Sequence, residues 1–208
     1  MAYIHCNYYS NALQLNTDIN VVIPTPNSDE LMNHKDTSYW REGAKYQVLY
    51  LLHGTYGDYS DWCHLTSIEK YAQNHKIMVV MPSVANSFYQ DMVYGPAYLT
   101  FLTEELPEYL GRLFPASTRR EDSFVAGLSM GGYGALKVGL TCPEKFSHVF
   151  SLSGALDVMA TLGSVNDGNR ATPLNPYTGE RKFAMDPAAV FGTTDVRGTD
   201  ADLFTLAE

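Results

Sequence analysis

Residues 124–136 read FVAGLSMGGYGAL, which is the most informative stretch of the sequence. An apolar strand leads into the pattern Gly-x-Ser-x-Gly, and a helical segment follows at once. That order predicts that Ser129 sits on a sharp strand-to-helix turn with its hydroxyl raised above a sheet as a nucleophile. Gly127 and Gly131 lack the side chains that would collide across such a turn. The alternatives are a coincidental glycine-rich turn or a phosphate-binding loop, but no Gly-x-Gly-x-x-Gly register is present.

On either side of this stretch, short apolar runs predict strands buried on both faces of a parallel sheet. Helical segments separate these runs, and Pro107 should bend the longest of the helices. Strands that alternate with helices predict an α/β fold, a mostly parallel sheet with helices on both faces. The predicted strands are Gln47–Leu52, Ile77–Met81, Ser123–Ala126 and Val149–Leu152, and the predicted helices are Ser67–Asn74, Tyr98–Phe114 and Gly131–Leu140.

The N-terminal part follows a different pattern. Tyr3–Ser10 and Asn16–Pro24 are two extended segments around a polar turn, which predicts an antiparallel hairpin. The polar mixture of residues 25–46 predicts a surface loop without a motif.

The C-terminal part gives weaker signals. Residues 163–182 are rich in Gly, Asn, Asp, Thr and Pro. They predict a long excursion over the strand ends, and we expect residues 155–190 to cover the active site, a plain surface loop being the alternative. Residues 200–208 predict the start of a helix capped by Thr199 or Asp200.

Composition excludes several classes of protein. The 208 residues carry a formal net charge of −9, with 45% hydrophobic and 18% charged residues, which predicts one globular domain. Lys and Arg do not cluster, so we expect no nucleic-acid partner. The N-terminus has neither a basic nor an apolar signal region, and no apolar run approaches the roughly 18 residues of a membrane span.

The cysteines predict neither a disulfide framework nor a metal site. Cys6, Cys63 and Cys142 are odd in number, far apart and without Cys-x-x-Cys spacing. We therefore expect a reducing, cytoplasmic setting.

A second motif, His53-Gly54-Thr55, also follows a buried strand. In a serine hydrolase sheet, the loop after this earlier strand supplies one backbone N–H of the oxyanion hole, and the residue after the nucleophile supplies the other. This assigns the N–H of Met130 and that of Gly54 or Thr55.

The sequence offers no clear general base. His53 belongs to the oxyanion loop, so we expect it to brace that loop by hydrogen bonding to backbone rather than to contact Ser129. None of the other histidines follows the nucleophile in the position that this chemistry uses. They are His5, His34, His64, His75 and His148.

Three segments together resemble the esterase D-like "putative esterase" family. They are YLLHGTYGDYSDW, FYQDMVYGPAYLTFLTEELPEYLGRLFP and REDSFVAGLSMGGYGALKVGL. The chain looks most similar to bacterial tributyrin and acetyl esterases, grouped with the feruloyl and acetylxylan esterases of carbohydrate esterase family one. The resemblance implies an α/β-hydrolase fold and a serine hydrolase that cleaves short acyl esters without a metal or organic cofactor.

The chain departs from this family near its end. Family members continue past the equivalent of Leu206 with two strand-helix units, which carry the catalytic Asp and then the catalytic His. We therefore expect a single domain over residues 1–208 that is incomplete at its C-terminus. An open sheet edge would follow, so we expect poor stability or a homo-oligomer unless a partner covers that edge.

Three further residues are candidates for the site. Asp157 follows a strand and is a candidate acid, with helix capping as the alternative. Trp62 and Tyr133 are candidates to line a substrate pocket, with packing as the alternative.

The sequence thus predicts a serine carboxylesterase that acts through an acyl-enzyme on Ser129. Two rival functions stay open. One is a thioesterase of the S-formylglutathione hydrolase type, and the other is a non-catalytic relic or binding module.

Overall fold

The computed structural model describes residues 1–166, 174–180 and 185–208, and for residues 164–166 the backbone alone. The sheet within this part has the order β1-β2-β4-β3-β5-β6. Its strands are β1 (Ala2–Ser10), β2 (Leu15–Ile23), β3 (Val48–Leu52), β4 (Met78–Pro82), β5 (Ser123–Leu128) and β6 (His148–Leu152).

The sheet is mixed, as an N-terminal hairpin joined to a parallel core requires. β1 pairs antiparallel with β2, and β2 pairs antiparallel with β4. β4, β3, β5 and β6 then run parallel to one another, so that Leu52 lies opposite Gly127, and Leu128 lies opposite Leu152. The predicted α/β fold and its antiparallel hairpin are confirmed. The carboxyl ends of β3, β5 and β6 meet at one edge, which places the two motifs together.

Helices cover both faces of the sheet. On one face, α5 and α6 pack with Tyr50, Leu52 and Val125 in the larger apolar cluster. On the other face, Ala72 of α3 packs against Val79 and Met81. The helices are α1 (Ser28–Met32), α2 (Asp61–Leu65), α3 (Ile68–His75), α4 (Tyr98–Thr100), α5 (Leu106–Leu113), α6 (Met130–Thr141), α7 (Val158–Asn166), α8 (Pro187–Phe191) and α9 (Leu203–Leu206).

The long helical segment that contains Pro107 changes from π-helix to α-helix just before this proline. α4 continues through a π-helical segment, Phe101–Glu105, into α5, where Pro107 lies in the first turn. A proline has no N–H to donate to the carbonyl four residues earlier. The freed carbonyl oxygen of Thr103 accepts a hydrogen bond from Lys145 Nζ at 3.1 Å.

The surface loop predicted at residues 25–46 contains two short helical segments that its composition did not predict. The segment contains α1 and a 3₁₀ turn, Ser38–Trp40. Asn27 and Glu30 form a reciprocal capping box at the start of α1. Glu30 is buried, accepts a hydrogen bond from Tyr39 Oη and pairs with Lys76. A long-range ion pair therefore fixes a segment whose composition is typical of a loop.

Two expectations near the C-terminus also need correction. The helix α7 reaches residue 166, so the predicted excursion does not begin at residue 163. Asp202, not Thr199 or Asp200, caps α9 by accepting the N–H of Phe204. Asp200 instead binds the buried Lys137 Nζ on α6. Of the predicted excursion, residues 167–173 and 181–182 lie outside the described residues.

Candidate active site

Ser129 lies at the turn between β5 and α6, in a conformation that serine rarely adopts. Its backbone has φ 56° and ψ −116°. The turn is held from three sides: Ser129 N donates to Leu152 O at 3.0 Å, and its carbonyl accepts from Tyr133 N and Ala155 N, each at 3.1 Å. Such strain persists only when the surrounding structure enforces it. Its presence at this serine is what a raised nucleophile requires.

The glycines around the turn allow backbones to approach closely. A Cβ added at Gly127 would lie 2.2 Å from Gly131 O, and one added at Gly131 would lie 2.4 Å from Leu52 O. The start of α6 is therefore pressed onto the ends of β3 and β5.

The His53–Gly57 loop lies directly against Ser129. A Cβ built on Gly54 would be 3.6 Å from Ser129 Cβ. Met130 is the first residue of α6, where backbone N–H groups have no acceptor within the helix. The structure thus places Met130 and Gly54 beside Ser129, at the positive end of a twelve-residue helix, and Thr55 follows Gly54 in the same loop. Their role as the oxyanion hole stays a prediction.

His53 braces this loop, as the sequence predicts. Its side chain is buried. Its Nε2 accepts the N–H of Val84 at 3.1 Å, so Nδ1 carries the proton and donates to Gly54 O at 2.7 Å. Burial lowers the pKa of His53 below its usual 6.5. Both ring nitrogens are occupied in a neutral imidazole, which leaves no lone pair to take a proton from Ser129.

We expect this buried histidine to make the fold sensitive to acid. The unfolded side chain takes up a proton near pH 6.5 and the folded one only at lower pH, so stability falls as the pH drops below about 6.5. This one proton can add at most about 1.4 kcal/mol per pH unit to the loss. Urea unfolding at several pH values should show a shallower acid slope for His53→Gln than for the wild type. Equal slopes would contradict the assignment.

Two of the other histidines are held away from Ser129. His148 is at the start of β6, whereas Ser129 lies at the opposite end of the sheet, and His5 hydrogen-bonds Asp18. Within residues 1–166, 174–180 and 185–208, no side chain hydrogen-bonds Ser129 Oγ. All six histidines of the chain belong to these residues.

The remaining candidate residues are Asp157, Tyr133 and Trp62. Asp157 is exposed, and its carboxylate accepts the N–H of Ala160 at 2.8 Å, so it caps α7. Tyr133 is fully buried, its hydroxyl donates to Ala201 O and accepts from Gln90 Nε2, and its pocket role stays a prediction. Trp62 is half-buried and donates its indole N–H to Leu52 O at 3.1 Å. Its pocket role stays a prediction.

Sequence reasoning missed Tyr89. This residue is fully buried, and its hydroxyl donates to His53 O at 2.7 Å across 36 positions of sequence. Only its place in the FYQDMVYGPAY segment, which carries part of the family resemblance, was a signal.

The strain at Ser129 predicts that glycine stabilises the fold at this position. Glycine adopts φ 56° freely, whereas alanine keeps the Cβ that makes this conformation unfavourable. We expect Ser129→Gly to raise the unfolding free energy by about 1 kcal/mol over Ser129→Ala, after the entropy cost of glycine. Urea denaturation of the two variants measures the difference. Ser129→Gly less stable than Ser129→Ala would mean that the turn is not strained.

The described residues contain no group of three or more His, Cys, Asp or Glu side chains arranged to hold a metal ion. They also contain no helix that is long and apolar enough to cross a membrane.

Several known proteins are similar to this chain in sequence or structure over most of its length. An acetyl esterase from Caldicellulosiruptor saccharolyticus is 36% identical over 172 residues, which cover 82% of this chain and 63% of that protein. The structure of FphF, a fluorophosphonate-binding serine hydrolase of Staphylococcus aureus, superimposes with a TM-score of 0.79 at 31% identity, covering 99% of this chain and 71% of the other. An S-formylglutathione hydrolase (FrmB) of the same organism gives a TM-score of 0.74 at 31% identity, covering 99% and 72%.

The chain therefore spans less than two thirds of the length of that acetyl esterase. The family model described as "Putative esterase" matches residues 14–195, a range that includes the His53 loop, the Ser129 turn and the sheet between them. Together with the strand-turn-helix geometry at Ser129, this match shows that the chain belongs to the "Putative esterase" family.

Proposed function

We propose that this protein is a serine carboxylesterase that hydrolyses short-chain acyl esters, of acetyl, butyryl or feruloyl type, through an acyl-enzyme on Ser129. The observation that carries the proposal is the strained turn at Ser129 with the Gly54 loop packed against it. The 36% identical acetyl esterase supports the substrate class.

In the proposed reaction, Ser129 Oγ attacks the ester carbonyl carbon and loses its proton to a base. The carbonyl oxygen becomes an oxyanion, which the N–H of Met130 and that of Gly54 or Thr55 stabilise. The alcohol leaves with a proton, and water then releases the acyl group from Ser129. The described residues supply the nucleophile and the N–H donors, and none of their six histidines hydrogen-bonds Ser129 Oγ.

We also propose that residues 1–208 form one domain and that residues 155–190 cover the site. The position of Ala155, whose N–H binds Ser129 O, supports a segment that starts beside the nucleophile. Among the described residues β6 is an edge strand of the sheet, and Phe150 on it is 54% exposed. An exposed apolar edge favours self-association.

Labelling with a fluorophosphonate tests the proposed nucleophile. Donors preorganised around Ser129 should favour phosphonylation there over other exposed serines, even when the reaction is slow. We expect intact mass and peptide mapping to place a single adduct on Ser129, and the adduct should be absent from Ser129→Ala. A matched control, Ser60→Ala, should label like the wild type. Adducts spread over several serines, or none on Ser129, would contradict the proposal and favour a non-catalytic relic.

A thioesterase is the second candidate, because the FrmB S-formylglutathione hydrolase covers 99% of this chain at 31% identity. The fold and the nucleophile would be the same. Rates on p-nitrophenyl acetate and S-formylglutathione, each corrected by Ser129→Ala, separate the two. A Ser129-dependent preference for the thioester would overturn the carboxylesterase proposal.

A further inference from the structure

Tyr89 occupies a backbone turn that is unfavourable for its residue type. Phe88 and Tyr89 have φ values of 50° and 57°, so two consecutive aromatic residues adopt the left-handed conformation. Bulky residues rarely do so, and the surrounding structure must hold them there. Both side chains are buried, with exposed fractions of 1% and 0%. The turn delivers the Tyr89 ring into the space behind the candidate oxyanion hole.

The ring of Tyr89 packs against α6. A Cβ added at Gly134 would lie 2.3 Å from Tyr89 Cδ2, so the ring lies flush on the helix backbone in the turn after Met130. The hydroxyl extends to the other half of the site, where it donates to His53 O at 2.7 Å. One side chain therefore spans the helix that carries Met130 and the loop that carries Gly54.

The bond to His53 O has a geometric consequence for Gly54. The carbonyl of His53 and the N–H of Gly54 belong to one planar trans peptide, in which the two groups point in opposite directions. A donor that fixes the direction of the His53 carbonyl therefore also fixes the direction of the Gly54 N–H on the opposite side of the peptide. The next peptide is held in the same way, because His53 Nδ1 donates to Gly54 O and that carbonyl shares its plane with the N–H of Thr55.

We propose that Tyr89 is a positioning residue for the esterase reaction, acting through the His53–Gly54 peptide. Its hydroxyl holds this peptide so that Gly54 N–H faces the space over Ser129, and it keeps the His53 ring in register to hold the Thr55 N–H. The proposal rests on the proposed function of Ser129 and Met130. Loss of the hydroxyl leaves the peptide free to rotate and removes donors from the developing oxyanion.

Tyr89→Phe tests this role, with Tyr46→Phe as the matched control. Both tyrosines are buried and both hydroxyls donate to a backbone carbonyl, at 2.7 and 2.6 Å, but Tyr46 binds Pro24 O and precedes β3, whereas the loop follows β3. Two readouts are compared in the 208-residue chain. The first is amide hydrogen exchange of peptides covering residues 53–57, and the second is the phosphonylation of Ser129, separated into binding and reaction steps.

We expect Tyr89→Phe to speed exchange at residues 53–57 and to slow the reaction step about tenfold, with reagent binding unchanged, since complete loss of one oxyanion donor costs about 10²–10³-fold. Tyr46→Phe should change neither readout. Unchanged exchange and labelling in Tyr89→Phe would overturn the proposal, and so would equal effects of the two variants.

Two further measurements keep the outcome decisive. If Tyr89→Phe does not fold, 4-fluorophenylalanine at position 89 keeps the ring and fills the space of the hydroxyl without donating a proton, and the same results are expected. If Ser129 takes no label even in the wild type, the proposed function fails. Hydrogen exchange at residues 53–57 then still decides whether Tyr89 holds the loop.

Discussion

Gly127→Ala and Gly131→Ala should each destabilise the fold by about 3–5 kcal/mol and abolish the reactivity of Ser129. The added methyl groups would lie 2.2 Å from Gly131 O and 2.4 Å from Leu52 O, which are backbone atoms that cannot move aside without separating α6 from the sheet. A loss of this size is a large part of the 5–15 kcal/mol that holds a typical domain together.

Gly163→Ala is the matched control for these variants. Gly163 lies in α7, and a Cβ there would meet no atom of the described residues within 4 Å. Alanine is the better helix former, so this variant should gain up to about 1 kcal/mol. Urea unfolding of all three variants measures the contrast. Near-neutral values for Gly127→Ala and Gly131→Ala would mean that the turn is looser than the structure has it.

The second large effect concerns catalysis by the 208-residue chain. We expect its turnover of p-nitrophenyl acetate to exceed that of Ser129→Ala by less than about tenfold, because no described side chain accepts the proton of Ser129 Oγ. A neutral serine is a weak nucleophile, and a site that lacks a triad member keeps only about 10³–10⁴-fold over water from its oxyanion hole and binding.

Added imidazole provides the positive control. It offers a base in solution, so the Ser129-dependent part of the rate should rise with its concentration, whereas the rate with Ser129→Ala reports imidazole acting alone. Strong Ser129-dependent turnover without imidazole would contradict the prediction. A scan of the six histidines, each replaced by glutamine, would then identify the base within these residues.

Much of the fold could be predicted because its signals are local. Buried parallel strands appear as continuous apolar runs such as Val48–Leu52, and the strand-to-helix turn at Ser129 needs glycines on both sides. The α1 segment could not be predicted from composition. Glu30 is stabilised by Lys76 and Tyr39, which lie 46 and 9 positions along the chain.

The features of the candidate site also fall into those set by local sequence and those set by contacts between distant segments. The tight turn at Ser129 and the His-Gly loop after the neighbouring strand could be predicted, because glycine spacing and apolar runs act over a few residues. The burial of Tyr133, the helix cap by Asp157 and the bond from Tyr89 to His53 are visible only in the folded chain. Those roles depend on which carbonyl or N–H group lies within hydrogen-bond distance of a buried side chain, and packing sets that between segments far apart in the chain.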